Sequence, residues 1–142
     1  MNTVIRPLLF VSYNQKDSKF AHQLKTSLEA AEVDLYVWLW EDEVLIGDSS
    51  TDRTKDAMRR ATHVLVVLSQ DSLAAQGVAQ EIGAATFSDK RVMPILLGLK
   101  PGDLPWNLRE TRSLEFASGF DPTIFSQLLP ALPRKRLSPN ER

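Results

Sequence analysis

Glu81 is the side chain with the clearest potential for chemistry. It follows a wholly apolar run, residues 64–68, and the serine Ser69, in a chain whose apolar runs alternate with helical segments. Open α/β sheets bind ligands beyond the carboxyl ends of their strands, so a carboxylate at this point of the chain can face a ligand. Charged residues are mostly exposed, however, and taken alone the position favours a solvated helix residue over a catalyst.

Polar and aromatic residues follow the ends of the other predicted strands. They fall in the segments 12–15, 40–48 and 69–72. Because parallel strands present their carboxyl ends at one edge of a sheet, we expect these segments and Glu81 to line one cleft. Trp38 and Trp40 are predicted on the same side of their strand, where packing against a helix competes with a ligand platform as their role.

Missing motifs exclude several catalytic classes. The chain has neither GxxxxGK[ST] nor GxGxxG, which argues against a mononucleotide kinase and a conventional dehydrogenase. It also lacks the GxSxG elbow of a serine hydrolase. The two histidines, His22 and His63, fall on different predicted elements, and there is no cysteine to form a disulfide or a thiolate site. We therefore predict no metal and no bound cofactor.

The composition indicates one ordinary globular domain. The chain has 142 residues, of which 43% are hydrophobic and 25% charged. Its 17 basic residues nearly balance 18 acidic ones, so no bulk positive field would attract nucleic acid or a membrane surface. Residues 1–7 precede only a short apolar run, which predicts neither a signal peptide nor a membrane span. The absence of cysteine suits a reducing, cytoplasmic location.

Five apolar runs alternate with helical segments along the chain. The predicted strands are residues 8–11, 33–40, 64–68, 92–97 and 113–116. Continuous apolar runs are typical of parallel strands buried on both faces, whereas the period-two pattern of the second run places it nearer an edge. The alternation predicts an α/β fold, a flavodoxin-like doubly wound five-stranded parallel sheet with helices on both faces. We assign residues 1–133 to this domain and 134–142 to a basic tail or linker.

Several of these segments, taken in order, resemble the motifs of the Toll/interleukin-1 receptor (TIR) domain family, in its bacterial form. Residues 9–13 are similar to the first-strand box, and residues 37–49 to the second strand and the BB loop. Residues 64–69 resemble the third strand with its serine, and residues 73–81 match the length of the segment that ends in the family's glutamate. Phe116 resembles the hydrophobic residue of the last box.

The resemblance implies a function as an NAD+ glycohydrolase. Glu81 aligns with the catalytic glutamate of the enzymatic members, which cleave the nicotinamide–ribose bond to give nicotinamide and ADP-ribose or a cyclic isomer. NAD+ is then a substrate, with no cofactor. The residues expected to bind it are Ser12, Tyr13, Asn14, Trp40, Asp48 and Ser49.

The same resemblance implies self-association. The BB-loop residues Val44, Leu45, Ile46 and Gly47 are expected to make contacts between TIR domains. An effector role in anti-phage immune signalling, activated by self-association and linked to a sensor or oligomerising module, is the biological expectation.

Three departures from the family pattern keep a second function open. Gly77 stands where the family often has a tryptophan four residues before the glutamate, Trp40 where it often has an aspartate, and Ile46 where it often has a proline. Loss of the tryptophan removes an aromatic wall near the nicotinamide. The alternative is a non-catalytic TIR adaptor or scaffold that acts by TIR–TIR interaction alone.

Overall fold

Five short strands form a parallel sheet at the centre of the protein, as seen in a computed structural model that describes residues 7–135. The strands are β1 Leu8–Ser12, β2 Tyr36–Trp38, β3 Ala61–Leu68, β4 Arg91–Leu97 and β5 Leu114–Phe116. All pairings are parallel and the order is β2-β1-β3-β4-β5. This order confirms the predicted doubly wound sheet.

The strand order reverses between β1 and β3, and this reversal fixes where a ligand can bind. From β1 the chain moves outward to β2 and then returns across the sheet to β3. Loops leaving β1 and β3 therefore run in opposite directions and open a crevice beyond the carboxyl ends of the strands. Ser12 ends β1 at this crevice, and it is 1% exposed.

Helices cover both faces of the sheet. They are α1 Ser18–Ala30, α2 Trp40–Glu43, α3 Ser50–Arg60, α4 Gln70–Leu73, α5 Gln76–Phe87 and α6 Pro122–Phe125. Short 3-10 turns at Gln15–Asp17, Pro101–Asp103, Trp106–Leu108 and Ser126–Ala131 complete the described elements.

Alternate residues of β1 divide the core into two layers, as the period of a strand requires. Leu9 and Val11 pack with α1 and the C-terminal helices in one cluster. Leu8 and Phe10 pack with α3 and α5 in the other. The two-faced arrangement predicted from the alternating elements is thereby confirmed.

The second strand is an edge strand, as predicted, but it is shorter than the alternating pattern indicated. Trp38 ends β2 and stacks on Phe10 with ring centroids 5.0 Å apart. Trp40 is the first residue of α2 and stacks on Tyr13 at 6.3 Å. The prediction that both tryptophans project from one side of a strand is wrong, because Glu41, with the acidic residues after it, forms a helical turn.

Two further local features have simple causes. The segment after β3 forms helix α4, because Ser69 and Ser72 form a reciprocal capping box. Pro94 lies inside β4 opposite Val66 of β3, but the pairing of β4 with β5 begins only at Ile95, so Pro94 has no strand neighbour on the β5 side.

The end of the domain pairs with the segment before β2. The amide of Asp34 donates to the carbonyl of Pro133 at 2.9 Å, and the amide of Lys135 donates to the carbonyl of Glu32 at 3.0 Å. Residues 136–142 of the predicted basic tail lie outside the described residues. Within the part of the chain that the structure describes, no helix is both long enough and apolar enough to cross a bilayer.

Candidate functional site

Glu81 meets Ser12 at the crevice between β1 and β3. The Ser12 hydroxyl donates to Glu81 Oε1 at 2.6 Å, across 69 positions of sequence. Burial raises the pKa of Glu81 above its ordinary value, and the hydrogen bond from Ser12 acts in the opposite direction. The result is a partly buried carboxylate whose position is fixed by the end of the central strand.

A groove of about 820 Å³ runs between α3 and α5, and Glu81 contributes to its wall. We call it the α3–α5 groove. Its lining residues are Ser50, Thr51, Thr54, Lys55, Met58, Arg59, Gly77, Gln80, Glu81, Ala84, Ser88 and Lys90. The volume lies within the range of small-molecule and cofactor sites. Gly77 forms part of this wall, and a Cβ at that position would meet nothing within 4 Å.

The BB loop closes on itself before α3 begins. Asp48 Oδ2 accepts from the amide of Leu45 at 2.9 Å and lies 3.6 Å from Arg53 Nη1. Gly47 has φ +95°, a conformation that favours glycine. Ser49 caps α3 by accepting from the amide of Asp52 at 3.2 Å. Asp48 and Ser49 thus shape the loop and the helix start next to the α3–α5 groove.

The two residues that follow β1, Tyr13 and Asn14, form hydrogen bonds with nearby segments and not with Glu81. The Tyr13 hydroxyl donates to Glu41 Oε1 at 2.6 Å, and burial together with that carboxylate raises the pKa of Tyr13. Asn14 Oδ1 accepts from the amide of Lys16 at 3.0 Å and caps the 3-10 turn. Of the predicted substrate-binding residues, Ser12 is the one in hydrogen-bond contact with Glu81.

Ser69 connects the ends of β3 and β1. Its hydroxyl donates to Asp17 Oδ2 at 2.5 Å and accepts from the amide of Ser72 at 3.2 Å. Ser69 is buried, so the link is protected from water. It fixes the turn after β1 relative to the start of α4 and thereby helps to hold Ser12 in place.

Three consecutive carboxylates anchor α2. Glu41 accepts from Tyr13 and Ser18 at 2.6 Å each, and Glu43 accepts from Tyr36 at 2.6 Å. Asp42 forms ion pairs with His22 and Lys25 of α1. The segment that leads into the BB loop is therefore bonded to the residue after β1, to α1 and to β2.

The imidazole of His22 is arranged as a double donor. Its Nδ1 lies 2.9 Å from the carbonyl of Ser18 and its Nε2 lies 3.0 Å from Asp42 Oδ1, and both of these oxygens only accept. A neutral imidazole has one N–H, so both bonds form in the charged state. The Asp42 side chain raises the pKa of His22, while Lys25, at 2.7 Å from Asp42 Oδ2, lowers the pKa of Asp42.

We expect the anchoring of α2 to weaken as pH rises. A raised histidine pKa stabilises the folded state below the ordinary value of 6.5, and this contribution is lost as pH rises through the folded-state value. The pKa of Asp42 is lowered, so the stabilisation that its carboxylate gives is present above the ordinary pKa of 3.8 and is lost as pH falls through the folded-state value. The pair is partly exposed, so we expect less than about 1 kcal/mol.

Hydrogen exchange of residues 40–44 between pH 5.5 and pH 8 measures this effect, with His22→Gln as the variant that removes it. A local readout is needed because burial lowers the pKa of His63, which acts on global stability with the opposite sign. Equal pH dependence in wild type and variant would contradict the assignment.

Among residues 7–135, no group of three or more histidine, aspartate or glutamate side chains could hold a metal ion. His63 Nδ1 lies 2.7 Å from the hydroxyl of its neighbour Thr62, and His22 is on a different element, α1.

Comparison with known proteins agrees with this architecture. The model of a family described as TIR domain matches residues 9–129. The TIR domain of the Toll-related receptor TRR-2 from Hydra magnipapillata is similar in structure, with 17% identity and a TM-score of 0.65. That match covers 87% of this chain and 89% of the other, and at this identity it shows the fold.

A metazoan TIR-STING receptor from C. gigas is also similar, with 26% identity and a TM-score of 0.65. The match covers 79% of this chain but 39% of the receptor, so the chain spans well under half of that protein. The same receptor in complex with 2′,3′-cGAMP gives 26% identity and a TM-score of 0.65, with 80% and 37% coverage. No protein with a curated description matches the chain significantly.

Proposed function

This chain belongs to the TIR domain family, and from that premise we propose that it is an NAD+ glycohydrolase. The family includes NAD+-cleaving enzymes as well as adaptors. The observation that carries the enzymatic proposal is the Ser12–Glu81 hydrogen bond at the wall of a groove large enough for a small-molecule substrate.

One carboxylate is sufficient for this reaction. The C1′–N bond of NAD+ breaks with its electron pair going to the pyridinium nitrogen, so nicotinamide leaves neutral and requires no general acid. Glu81 stabilises the positive charge that develops on the ribosyl centre. Water then forms the new C1′–O bond and loses a proton, which gives ADP-ribose. Attack by an adenine nitrogen in place of water gives the cyclic isomer.

Ser12 is assigned a positioning role. Its hydroxyl fixes one oxygen of the carboxylate, and its own burial at the end of β1 gives it little freedom to move. A carboxylate held before the reaction need not reorganise as charge develops, which is the main source of electrostatic catalysis.

Self-association is the second part of the proposal. Leu45 is 66% exposed and Ile46 105% exposed at the tip of the BB loop. An apolar tip on a loop closed by Asp48 and anchored through α2 suits contact with a second TIR domain. We propose that such contacts activate cleavage, in an effector of anti-phage immune signalling that works in the cytoplasm with a sensor or oligomerising module.

The non-catalytic adaptor is the competing proposal, and two observations favour it. Gly77 leaves the nicotinamide end of the groove without an aromatic wall, and the exposed BB-loop tip serves an adaptor equally well. Proton NMR of concentrated protein incubated with NAD+ separates the two, since nicotinamide, ADP-ribose and a cyclic product give distinct signals. An unchanged NAD+ spectrum from assembled protein supports the adaptor.

Gly77→Trp is expected to improve the binding of NAD+. Gly77 is exposed in the first turn of α5, and a Cβ at this position meets nothing within 4 Å, so a larger side chain can leave the helix here toward the groove. Stacking of an aromatic ring on nicotinamide should lower KM by about three- to tenfold, in keeping with about 0.5–1.5 kcal/mol for an aromatic pair. Steady-state kinetics with NAD+ measures this, and Gly83→Trp on the same helix is the control. Equal KM values in Gly77→Trp and wild type would show that nicotinamide does not lie at this end of the groove.

A further inference from the structure

One face of α3 lines the α3–α5 groove opposite residues of α5. On α3 the row is Thr51, Thr54, Lys55, Met58 and Arg59, which follows the three- and four-residue spacing of one helix face. Among the described residues that line the groove, Lys55, Arg59 and Lys90 are cationic, whereas Glu81 alone is acidic. The groove therefore combines one carboxylate with three cationic side chains.

Glu81 and Arg59 lie at different levels of the groove, whereas Lys55, in the middle of α3, is about level with Glu81 on the facing helix. Both α3 and α5 precede parallel strands, so both run from the carboxyl edge of the sheet to its amino edge. Gly77 lies at the carboxyl edge and Ser88 at the amino edge, about 16 Å apart at 1.5 Å per residue. Glu81 lies in the half near Gly77, and Arg59 lies at the end of α3 in the opposite half.

Lys90 has a structural role at the amino-edge end. Its Nζ donates to the carbonyl of Ala61 at 2.6 Å and to the carbonyl of Arg59 at 3.3 Å. These bonds satisfy carbonyls at the end of α3 and order that end of the groove. Lys55 and Arg59 are then the cations available to a ligand.

Other faces of α3 show that its cations are ordinarily paired. Arg53 lies 3.6 Å from Asp48, and Arg60 lies 3.6 Å from Asp56. Lys55 and Arg59 have no such acidic partner among the described residues. The two cations that face the groove are thus the ones left to bind an anion.

We propose that Lys55 and Arg59 bind the diphosphate of a dinucleotide, with its nicotinamide ribose at Glu81. This inference rests on the proposed function. NAD+ carries a cationic pyridinium at one end and two negative phosphates in the middle, and the groove presents the Glu81 carboxylate, Lys55 opposite it on α3 and Arg59 further along. Arginine binds phosphate oxygens in pairs and lysine acts as a point charge, so the two side chains suit adjacent phosphates.

The segment after β1 strengthens the assignment. Its residues Tyr13, Asn14 and Gln15 are uncharged, and Lys16 lies 3.5 Å from Asp71. The cations for the diphosphate must then come from another element. The hydroxyls of Thr51 and Thr54 lie on the same row of α3 as Lys55 and add hydrogen-bond donors for phosphate or ribose.

Calorimetric titration with ADP-ribose tests the subsite without requiring turnover. We expect Lys55→Ala and Arg59→Ala each to weaken ADP-ribose binding about tenfold, the loss expected for a charge-assisted hydrogen bond. Arg60→Ala is the matched control, since Arg60 is the exposed neighbour of Arg59 but does not line the groove. The two groove variants should also show a weaker dependence of affinity on salt.

Kinetics with NAD+ provide the second readout. A diphosphate contact is present in both the bound substrate and the transition state, so we expect a raised KM and an unchanged kcat. Thermal unfolding checks that the exposed substitutions leave the fold intact. ADP serves as the minimal diphosphate probe and should lose affinity in parallel with ADP-ribose.

The outcomes separate this inference from the proposed function. If wild type cleaves NAD+ but Arg59→Ala and Arg60→Ala bind ADP-ribose equally well, the diphosphate subsite is wrong and the enzyme stands. If groove variants alone lose ADP-ribose affinity while no nicotinamide is released, the subsite stands and catalysis does not. Absence of ADP-ribose binding to wild type at millimolar concentration overturns the subsite.

Discussion

Glu81→Gln should reduce the rate of nicotinamide release by a hundredfold or more. The substitution keeps the size of the side chain and an oxygen that can accept from Ser12, while it removes the negative charge that stabilises the ribosyl cation. Loss of one preorganised electrostatic contact costs about 3–4 kcal/mol, which corresponds to at least a hundredfold in rate. Initial rates of nicotinamide release, measured by chromatography at saturating NAD+, give this ratio.

The same variant should be at least as stable as wild type at neutral pH. Because burial raises the pKa of Glu81, the folded state favours the protonated carboxyl, and its stabilising contribution is lost as pH rises through the folded-state value. A neutral glutamine avoids this loss, so its melting temperature at pH 7 should equal or exceed that of wild type. Lost activity then cannot be attributed to unfolding.

The raised pKa also sets the pH dependence of activity. Glu81 acts as a carboxylate, so kcat should rise with pH through a value above the ordinary 4.5. Gln76→Ala is the control, because Gln76 is an exposed residue of the same helix α5 that does not line the groove. It should retain most of the wild-type rate. A variant Glu81→Gln that cleaves NAD+ within threefold of wild type would contradict the assignment of Glu81.

Ile46→Asp should abolish self-association and reduce activity at least about tenfold. Ile46 is fully exposed at the BB-loop tip, so its replacement changes the surface and leaves the core intact. A charge placed at the centre of an apolar contact must be desolvated without a partner, which typically costs several kcal/mol. Light scattering across protein concentrations measures association, and nicotinamide release is measured on the same samples.

Phe87→Asp is the control for Ile46→Asp. Phe87 is 92% exposed, close to the exposure of Ile46, but it ends α5 rather than lying in the BB loop. It should associate and cleave as wild type does. Unchanged association and unchanged activity in Ile46→Asp would reject the BB loop as the contact, and lost association with unchanged activity would reject activation by assembly.

The sheet could be predicted because its signals are local and strong. The continuous apolar runs around Val66 and Phe10 specify strands buried on both faces, and alternation with helices specifies a parallel order. The general rule for such sheets also predicted that Ser12 and Glu81 would lie near one crevice. The rule could not predict the direct hydrogen bond between Ser12 and Glu81, because it does not say which face of α5 is turned toward the end of β1.

The anchoring of α2 was missed because its causes are tertiary. Residues 41–43 have the composition of a solvated loop, and their partners on α1 are 17 to 23 residues away in sequence. Trp40 was assigned to β2 because the alternating pattern continues through it. In the structure Trp40 stacks on Tyr13 and begins the helical turn that the acidic residues continue, so it is not part of β2.

The cationic row on α3 was visible in the sequence as Lys55 and Arg59, four residues apart, but nothing local distinguishes it from Arg53 and Arg60. Only the side-by-side packing of α3 and α5 shows which cations line a groove with Glu81. A search for binding residues at strand ends alone therefore overlooks the helix faces between which a substrate can lie.

The central claim is tested most directly by incubating concentrated wild-type protein and Glu81→Gln with NAD+ and a crowding agent, with assembly verified by light scattering. Nicotinamide is then followed by chromatography. Our account predicts release by wild type and at least a hundredfold slower release by Glu81→Gln at the same degree of assembly. No release by fully assembled wild type would contradict it and establish the adaptor in its place.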